Sequence, residues 1–166
     1  MTPTNDAHPA SLALRLAAMT YDGVLLFGIV FIVGYALLAL TQWTYPLAET
    51  RRLALQAVLF VAIGAYFVWC WSKGGQTLGM KSWRLRLFDS TGTAPRISRS
   101  ILRYVLAWHL AAPGLAFVAA FQTHAAIDLV AVVAGIGLML LPALFDPQRR
   151  LLHDRWLGTL IVRESD

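Results

Sequence analysis

Charge is scarce in this chain. Lys, Arg, Asp and Glu make up 14% of its 166 residues, whereas an ordinary soluble domain carries about 25%. Hydrophobic residues reach 58%, and the mean hydropathy is +0.60. A soluble fold of this length has too little interior to hide so much apolar surface. The composition therefore excludes an ordinary soluble domain and predicts a membrane protein.

Cysteine is nearly absent as well. The single Cys70 rules out any disulfide within the chain. No lysine or arginine precedes Arg15, and the apolar run after it is too long for the core of a signal peptide, so we expect that run to remain as an anchor. The other basic residues flank apolar runs, where membrane proteins normally carry them, so nothing in the sequence indicates nucleic-acid binding.

The apolar segments predict the architecture. Candidate spans cover about residues 20–40, 53–71, 103–122 and 125–145, each close to the 20 or so residues that a helix needs to cross the hydrocarbon. Pro113 should kink the third span because proline removes a helix hydrogen bond. We therefore expect an all-α membrane protein with four transmembrane helices in two hairpins. Residues 11–162 would form a single transmembrane domain, between a disordered N-terminus (1–10) and a short tail (163–166).

The segment between the second and third spans has strand periodicity. From Trp83 to Leu87 apolar residues alternate with Arg84 and Arg86, and residues 89–92 have the composition of a turn. The stretch 159–162 is also prone to β structure and could pair with it. We expect the apolar face of this small β segment to lie on the membrane surface. Its arginines would then face anionic lipid headgroups, together with three further basic residues of the same loop, Lys81, Arg99 and Arg103.

The basic residues also predict the orientation. Twelve of the fourteen lysines and arginines fall in the N-terminal segment, in the loop 72–103 or after Phe145, and only Arg51 and Arg52 fall on the other side. Because positive charge accumulates in cytoplasmic loops, both termini should be cytoplasmic.

Two charges precede the core of the first span. Arg15 and Asp22 are seven residues apart, which is two helical turns, so they share a face about 10 Å apart along the axis. A charge at the edge of a membrane span is costly unless it has a partner or a role. His153 and Asp154 lie in the C-terminal segment, on the predicted cytoplasmic side with Arg15 and Asp22.

The order of these motifs resembles the RDD family of bacterial membrane proteins, named for one arginine and two aspartates. Arg15 and Asp22 enter the first helix, the segment 74–79 (GGQTLG) follows the second, and residues 152–159 (LHDRWLGT) precede the terminal strand. The resemblance implies that Arg15, Asp22 and Asp154 are signature residues and that the protein lies in the bacterial inner membrane. Many relatives have a glycine–lysine pair where this chain has Gly79, Met80 and Lys81. Transport of an ion or ligand has been suggested for the family, and sodium–proton exchange for some members.

Two interpretations of these charges stay open. In a latch, Arg15 or Arg155 pairs with Asp22 or Asp154 and ties the tail to the first helix, an arrangement that is weak evidence of function. In a transporter, Asp22 and Asp154 bind or titrate a cation and Arg15 sets their charge state. With so few polar groups near the midplane, a transporter of this kind would have to form a homo-oligomer to enclose a path.

A third interpretation is a non-catalytic scaffold whose basic face binds anionic lipid or a protein partner. Neither an enzyme nor a cofactor is predicted, because no nucleophilic triad and no phosphate-binding loop can be assembled. His109, His124 and His153 are scattered, so no metal site is predicted either, since such a site needs three or four ligands.

Overall fold

The structure is a computed structural model that describes residues 8–121 and 123–164 and is mostly helical. Its helices and strands, in chain order, are β1 His8–Pro9, α1 Leu12–Thr41, α2 Glu49–Gly74, α3 Leu78–Ser82, β2 Leu85–Phe88, α4 Ile97–Ala107, a 3₁₀ turn Trp108–Leu110, α5 Ala112–Phe121, α6 Ala125–Leu140, α7 Pro142–Phe145, α8 Leu152–Leu157 and β3 Leu160–Arg163. The three strands lie together at one end of the helices, here called the sheet end.

Three helical segments are long and apolar enough to cross a membrane: Leu12–Thr41, Glu49–Gly74 and Ala125–Phe145. A fourth crossing exists if Ile97–Leu110 and Ala112–Phe121, which meet at a 49° bend, count as one span. The bend falls just before Pro113, the residue predicted to kink this helix. The structure thus agrees with a membrane protein of three to four spans. Exposed aromatic side chains such as Phe27 and Phe31 cover the outside of α1, as expected for a surface that faces lipid.

The strands form a sheet in the order β1-β3-β2, antiparallel throughout. Leu85 pairs with Arg163 and Phe88 with Leu160, so the pairing of the loop strand with the tail is as the sequence indicated. The strand β1 was not predicted from the sequence. The sequence predicted disorder for residues 1–10. Residues 1–7 lie outside the described part of the chain, whereas His8 and Pro9 are paired with β3.

The prediction that the apolar face of β2 lies on the membrane surface is wrong. Leu85 and Leu87 are fully buried against Ala18, Trp71 and Tyr104 of the helices rather than lying on a membrane surface. Alternating leucines need an apolar surface, and the ends of α1, α2 and α4 provide it within the chain. Trp83, predicted to share that face, precedes the strand and is exposed.

One glycine is required where α2 gives way to the sheet. Gly75 has φ +69°, the left-handed conformation that ends a helix, and its N–H donates to the carbonyl oxygen of Trp71 at 3.0 Å. Leu87 N–H donates to the Gly75 carbonyl oxygen at 2.8 Å, and a Cβ at position 75 would lie 2.6 Å from the Leu87 carbonyl oxygen. The turn thereby fixes β2 to the end of α2.

Candidate functional site

Asp22 lies on α1 and is held by α2 and by the segment that follows it. Its Oδ1 accepts hydrogen bonds from the Tyr66 hydroxyl and the Gly79 N–H, both at 2.9 Å, and its Oδ2 accepts from the Thr77 hydroxyl. Thr77 also caps α3, because its Oγ1 accepts from Met80 N–H at 3.1 Å. The carboxylate is 5% exposed and is stabilised by three neutral donors. Within residues 8–121 and 123–164, no ion pair joins it to Arg15.

Asp154 lies on α8 and is fully buried. Arg103 of α4 approaches its Oδ1 with both Nε and Nη2 at 3.0 Å, and the Arg103 guanidinium stacks over the Trp71 ring at 4.2 Å. A buried charge is tolerated only with such a partner and further hydrogen bonds. The Arg103–Asp154 pair therefore fixes α8 against α4.

The turn after α8 completes the surroundings of Asp154. Gly158 adopts φ +62°, which ends the helix and returns the chain toward Asp154. Thr159 then donates to Asp154 twice, from its hydroxyl to Oδ1 and from its N–H to the backbone carbonyl oxygen, each at 2.9 Å. Gly158 and Thr159 follow His153 and Asp154 in the sequence because the first turns the chain back and the second donates hydrogen bonds to the buried Asp154.

Arg15 connects α1 to the same cluster more loosely. Its Nη1 lies 3.8 Å from Asp154 Oδ2, and its Nη2 donates to the Ile161 carbonyl oxygen at 3.3 Å. Arg15 is 4% exposed, and its Nε and Nη1 have no hydrogen-bond partner in the described part of the chain. An unmade hydrogen bond of a buried group costs about 1–3 kcal/mol, and more for a charged group. Arg15 therefore has unused donors in a buried position.

The cluster holds a neutral histidine beside an ionised aspartate. Burial alone would raise the pKa of Asp154, but the charges of Arg103 and Arg15 and the hydrogen bond from Thr159 together outweigh it and hold that pKa below the usual value. Burial, followed by the charge of Arg103, lowers the pKa of His153 to about 3. The His153 ring lies 3.6 Å from Asp154 Oδ1 through Nε2, and its buried Nδ1 has no hydrogen-bond partner among the described residues. His153 therefore stays uncharged at neutral pH.

A cavity of about 420 Å³ is lined by residues of both carboxylate clusters. Its walls are mostly apolar side chains of α1, α2 and α4 with the 3₁₀ turn after it, and Ile136 of α6 contributes from the side. Arg15, Asp22, Arg103 and His153 line it. Sites for small molecules have this character, an apolar pocket of about 300–1,000 Å³ with a few convergent polar groups.

The structure separates the residues that the sequence grouped together. Arg15 and Asp154 are neighbours, as one form of the latch requires, whereas Asp22 belongs to the second cluster. Arg155, the other basic candidate, is exposed and lies 3.9 Å from Asp146. No three His, Cys, Asp or Glu side chains in the described ranges gather as a metal site would require.

The five basic residues expected to face lipid phosphate differ in their positions. Lys81 and Arg84 are exposed. Arg86 donates to Glu164 at 2.7 Å and Arg99 to Asp89 at 3.2 Å, so both face acidic side chains. For Arg103 the expected lipid contact is wrong, because the side chain is 5% exposed and bound to Asp154.

Sequence reasoning missed four side chains or backbone groups of the site: Tyr66, Trp71, Thr77 and the Gly79 N–H. Thr77 had a usable signal, since a threonine immediately before a possible helical turn is a typical N-cap. For Gly79 the reason is visible only in the structure, because a Cβ there would collide with the Ala18 carbonyl oxygen and lie 2.9 Å from Asp22 Cγ. Only a glycine lets the backbone of α3 reach the carboxylate of α1.

Apolar helices that carry buried arginine and aspartate clusters at one end define a helical integral membrane protein. A sequence model of the RDD family matches residues 9–158, which is most of the chain, and the protein belongs to that family. The resemblance seen in the motifs is thereby confirmed. No curated protein and no solved structure matches the chain.

Proposed function

We propose that this RDD family protein transports a small ligand, which it binds in the cavity between α1, α2 and α4. The cavity itself is the observation that carries the proposal. It joins an apolar wall to Arg15, Asp22, Arg103 and His153 within a membrane-type fold, and such a combination is the default indication of a ligand site.

A small ligand is favoured over a bare cation. Asp22 already accepts three hydrogen bonds, and Asp154 is paired with Arg103 and Arg15 and accepts one further hydrogen bond from the Thr159 hydroxyl. Neither carboxylate therefore offers the several free oxygens that a hard cation takes from a protein.

We also propose that both termini face the cytoplasm of the bacterial inner membrane. The sheet joins the N-terminal and C-terminal segments to the basic loop, so all three lie at the sheet end. The excess of arginine and lysine on these segments supports a cytoplasmic location.

Accessibility of the cavity tests transport without knowledge of the ligand. In a Cys70→Ser background, Ala111→Cys places a thiol in the cavity wall, and Ala112→Cys places one on the exposed neighbour. The protein is inserted in vesicles in one orientation and treated with a charged, impermeant thiol reagent from each side. For a transporter, Ala111→Cys should be labelled from both sides, because the site must open to each in turn. Labelling from one side only, or from neither, would contradict transport, and Ala112→Cys reports lipid-facing background.

A scaffold that binds anionic lipid is the second candidate. It is supported by Lys81, Arg84 and Arg96, which are exposed at the sheet end, where each basic residue near an anionic surface contributes on the order of 1 kcal/mol. Its test compares the full chain with a Lys81→Gln, Arg96→Gln double variant in nanodiscs that contain labelled phosphatidylglycerol as a minor component. A scaffold requires the variant to retain less of this lipid, and equal retention would contradict it.

A further inference from the structure

Three side chains that line the cavity carry hydrogen-bonding atoms without partners in the described residues. These atoms are Nε and Nη1 of Arg15, Nε1 of Trp71 and Nδ1 of His153. The side chains are all more than nine-tenths buried and come from α1, α2 and α8. The Arg15 and Trp71 atoms can only donate, and the histidine atom donates in one of its two tautomers. Buried groups of this kind are almost always satisfied, so a cavity that collects them indicates an acceptor-bearing ligand.

The charges around the cavity limit the head of that ligand. Arg103 is matched by Asp154 at 3.0 Å, and the Asp22 carboxylate is satisfied by neutral donors. Arg15 is 3.8 Å from its nearest carboxylate oxygen and so has capacity for one more anionic acceptor. Two aspartates line or adjoin the site, and like-charge repulsion would oppose a second negative charge on the ligand.

The rest of the wall limits the body of the ligand. Leu26, Ile63 and Phe67 extend the lining away from the charged groups. A volume of about 420 Å³ lies toward the lower end of the range for small-molecule sites, which suits one alkyl chain better than two.

We propose that the ligand is a single-chain amphiphile with one negative charge on an oxyanion head, which binds the unused donors of Arg15 and Trp71 while its chain occupies the apolar part of the cavity. This inference rests on the proposed ligand-binding role of the cavity. Such a molecule can come from the water phase, as an alkyl carboxylate or sulfonate, or from the bilayer, as a monoacyl lipid with a single negative charge.

Binding to the purified full-length protein in nanodiscs of neutral lipid tests the class. Decanesulfonate serves as the water-borne probe and lysophosphatidylglycerol as the lipid-borne one. Decanol, decyl phosphate and decyltrimethylammonium supply a neutral, a largely dianionic and a cationic head on the same chain. Equilibrium dialysis with labelled compounds, corrected by empty nanodiscs, gives the affinities. We expect at least one monoanion to bind about tenfold more tightly than the other three heads. The better of the two monoanions identifies the source.

Variants then assign the head contacts. Arg15→Gln should weaken binding of the preferred monoanion about tenfold or more, since charge-assisted hydrogen bonds are the strong ones, and it should leave decanol unchanged. Trp71→Phe keeps the ring beneath Arg103 and removes only the N–H, so it should weaken the monoanion by a smaller factor. Ala111→Leu should weaken every probe by filling the cavity. Arg163→Gln, which removes an exposed charge on β3 at the same end, is the matched control and should change nothing.

Equal affinity for all heads, or a monoanion affinity unaffected by both Arg15→Gln and Trp71→Phe, would overturn the inference. Should Arg15→Gln fail to fold, Trp71→Phe and Ala111→Leu still decide it. The labelling of Ala111→Cys is independent of these affinities. If Ala111→Cys is labelled from both sides but the protein shows no preference among the heads, the proposed ligand class is refuted and transport is retained. If binding depends on Arg15 but labelling occurs from one side only, transport is refuted and the ligand site is retained.

Discussion

Arg103 directs both Nε and Nη2 to a single oxygen of Asp154, Oδ1, at 3.0 Å, and leaves Oδ2 to Arg15 at 3.8 Å. One buried carboxylate is therefore shared by two guanidiniums, one tightly bound and one loosely. The ionic contacts of Asp154 on α8 therefore run closely to α4 and only loosely to α1. The unequal sharing also leaves Arg15 its unused donors.

The shared carboxylate predicts an order of stability losses. Asp154→Asn leaves two buried cations without a counterion and should cost about 3–5 kcal/mol, the usual loss when one member of a buried pair is removed. Arg103→Gln should cost less, because Arg15 remains near Asp154. The double variant should be milder than Asp154→Asn alone. Denaturant unfolding in detergent measures all three, with Arg99→Gln as the surface control at roughly 1 kcal/mol or less. Additive losses would contradict the coupling.

Two substitutions of Asp22 should distinguish the loss of a hydrogen-bond acceptor from the loss of a negative charge. Asp22→Ala leaves the donors of Tyr66, Thr77 and Gly79 unsatisfied and should destabilise the protein by several kcal/mol, at about 1–3 kcal/mol for each buried group. Asp22→Asn retains one acceptor oxygen for Tyr66 and Gly79 and should cost clearly less. Thermal unfolding in detergent compares the two. Equal losses would mean that the negative charge, rather than the acceptor, holds α3 against α1.

Gly79 should be intolerant of a methyl group. Gly79→Ala places a Cβ against the Ala18 carbonyl oxygen and 2.9 Å from Asp22 Cγ, so α1 and α3 must separate at a cost of about 1–3 kcal/mol. Gly74→Ala is the matched control, because a Cβ there meets nothing within 4 Å. It should be neutral or slightly stabilising. Thermal unfolding of both variants decides the matter, and similar behaviour would contradict the close approach.

His153 predicts a dependence of stability on pH. Its pKa is about 3 in the folded protein against 6.5 in the unfolded chain, so below 6.5 only the unfolded state takes up the proton. Stability should be complete above pH 6.5 and fall toward pH 3, by up to about 1.4 kcal/mol per pH unit. Asp154 acts in the same direction only at lower pH. Unfolding between pH 7 and 4.5 isolates the histidine, and His153→Gln should flatten the curve. An unchanged slope in that variant would contradict the assignment.

Orientation can be measured with reporter fusions. Fusions after Glu49 and His124 should report the outside of the cell, and those after Asp89 and Ser165 the cytoplasm. The expectation follows from the basic segments at the sheet end. A cytoplasmic signal after His124 would mean that the bent segment Ile97–Phe121 re-enters the side from which it came and does not cross.

The sequence predicted the features that depend on local patterns of residues along the chain. Apolar length predicted the helices, proline the bend, and the alternation at Leu85 and Leu87 the strand with its partner in the tail. It could not predict contacts made by tertiary docking. Arg99 and Arg103 are one helical turn apart and look alike in sequence, yet only Arg103 meets the α8 carboxylate. The seven-residue spacing of Arg15 and Asp22 placed them on one face correctly, but their partners lie between 44 and 146 positions away in the sequence.

The contacts of the sheet end also determine when this part of the protein can fold during its synthesis. Arg15 donates to the carbonyl oxygen of Ile161, a residue 146 positions later, and β1 has no partner until β3 exists. At about 5–20 residues per second, the first helix waits on the order of ten seconds in the bilayer before its arginine meets Asp154. The site can therefore close only after Asp154 and Ile161 have left the ribosome, and a chain that terminates before them keeps an unmatched cation at the membrane surface.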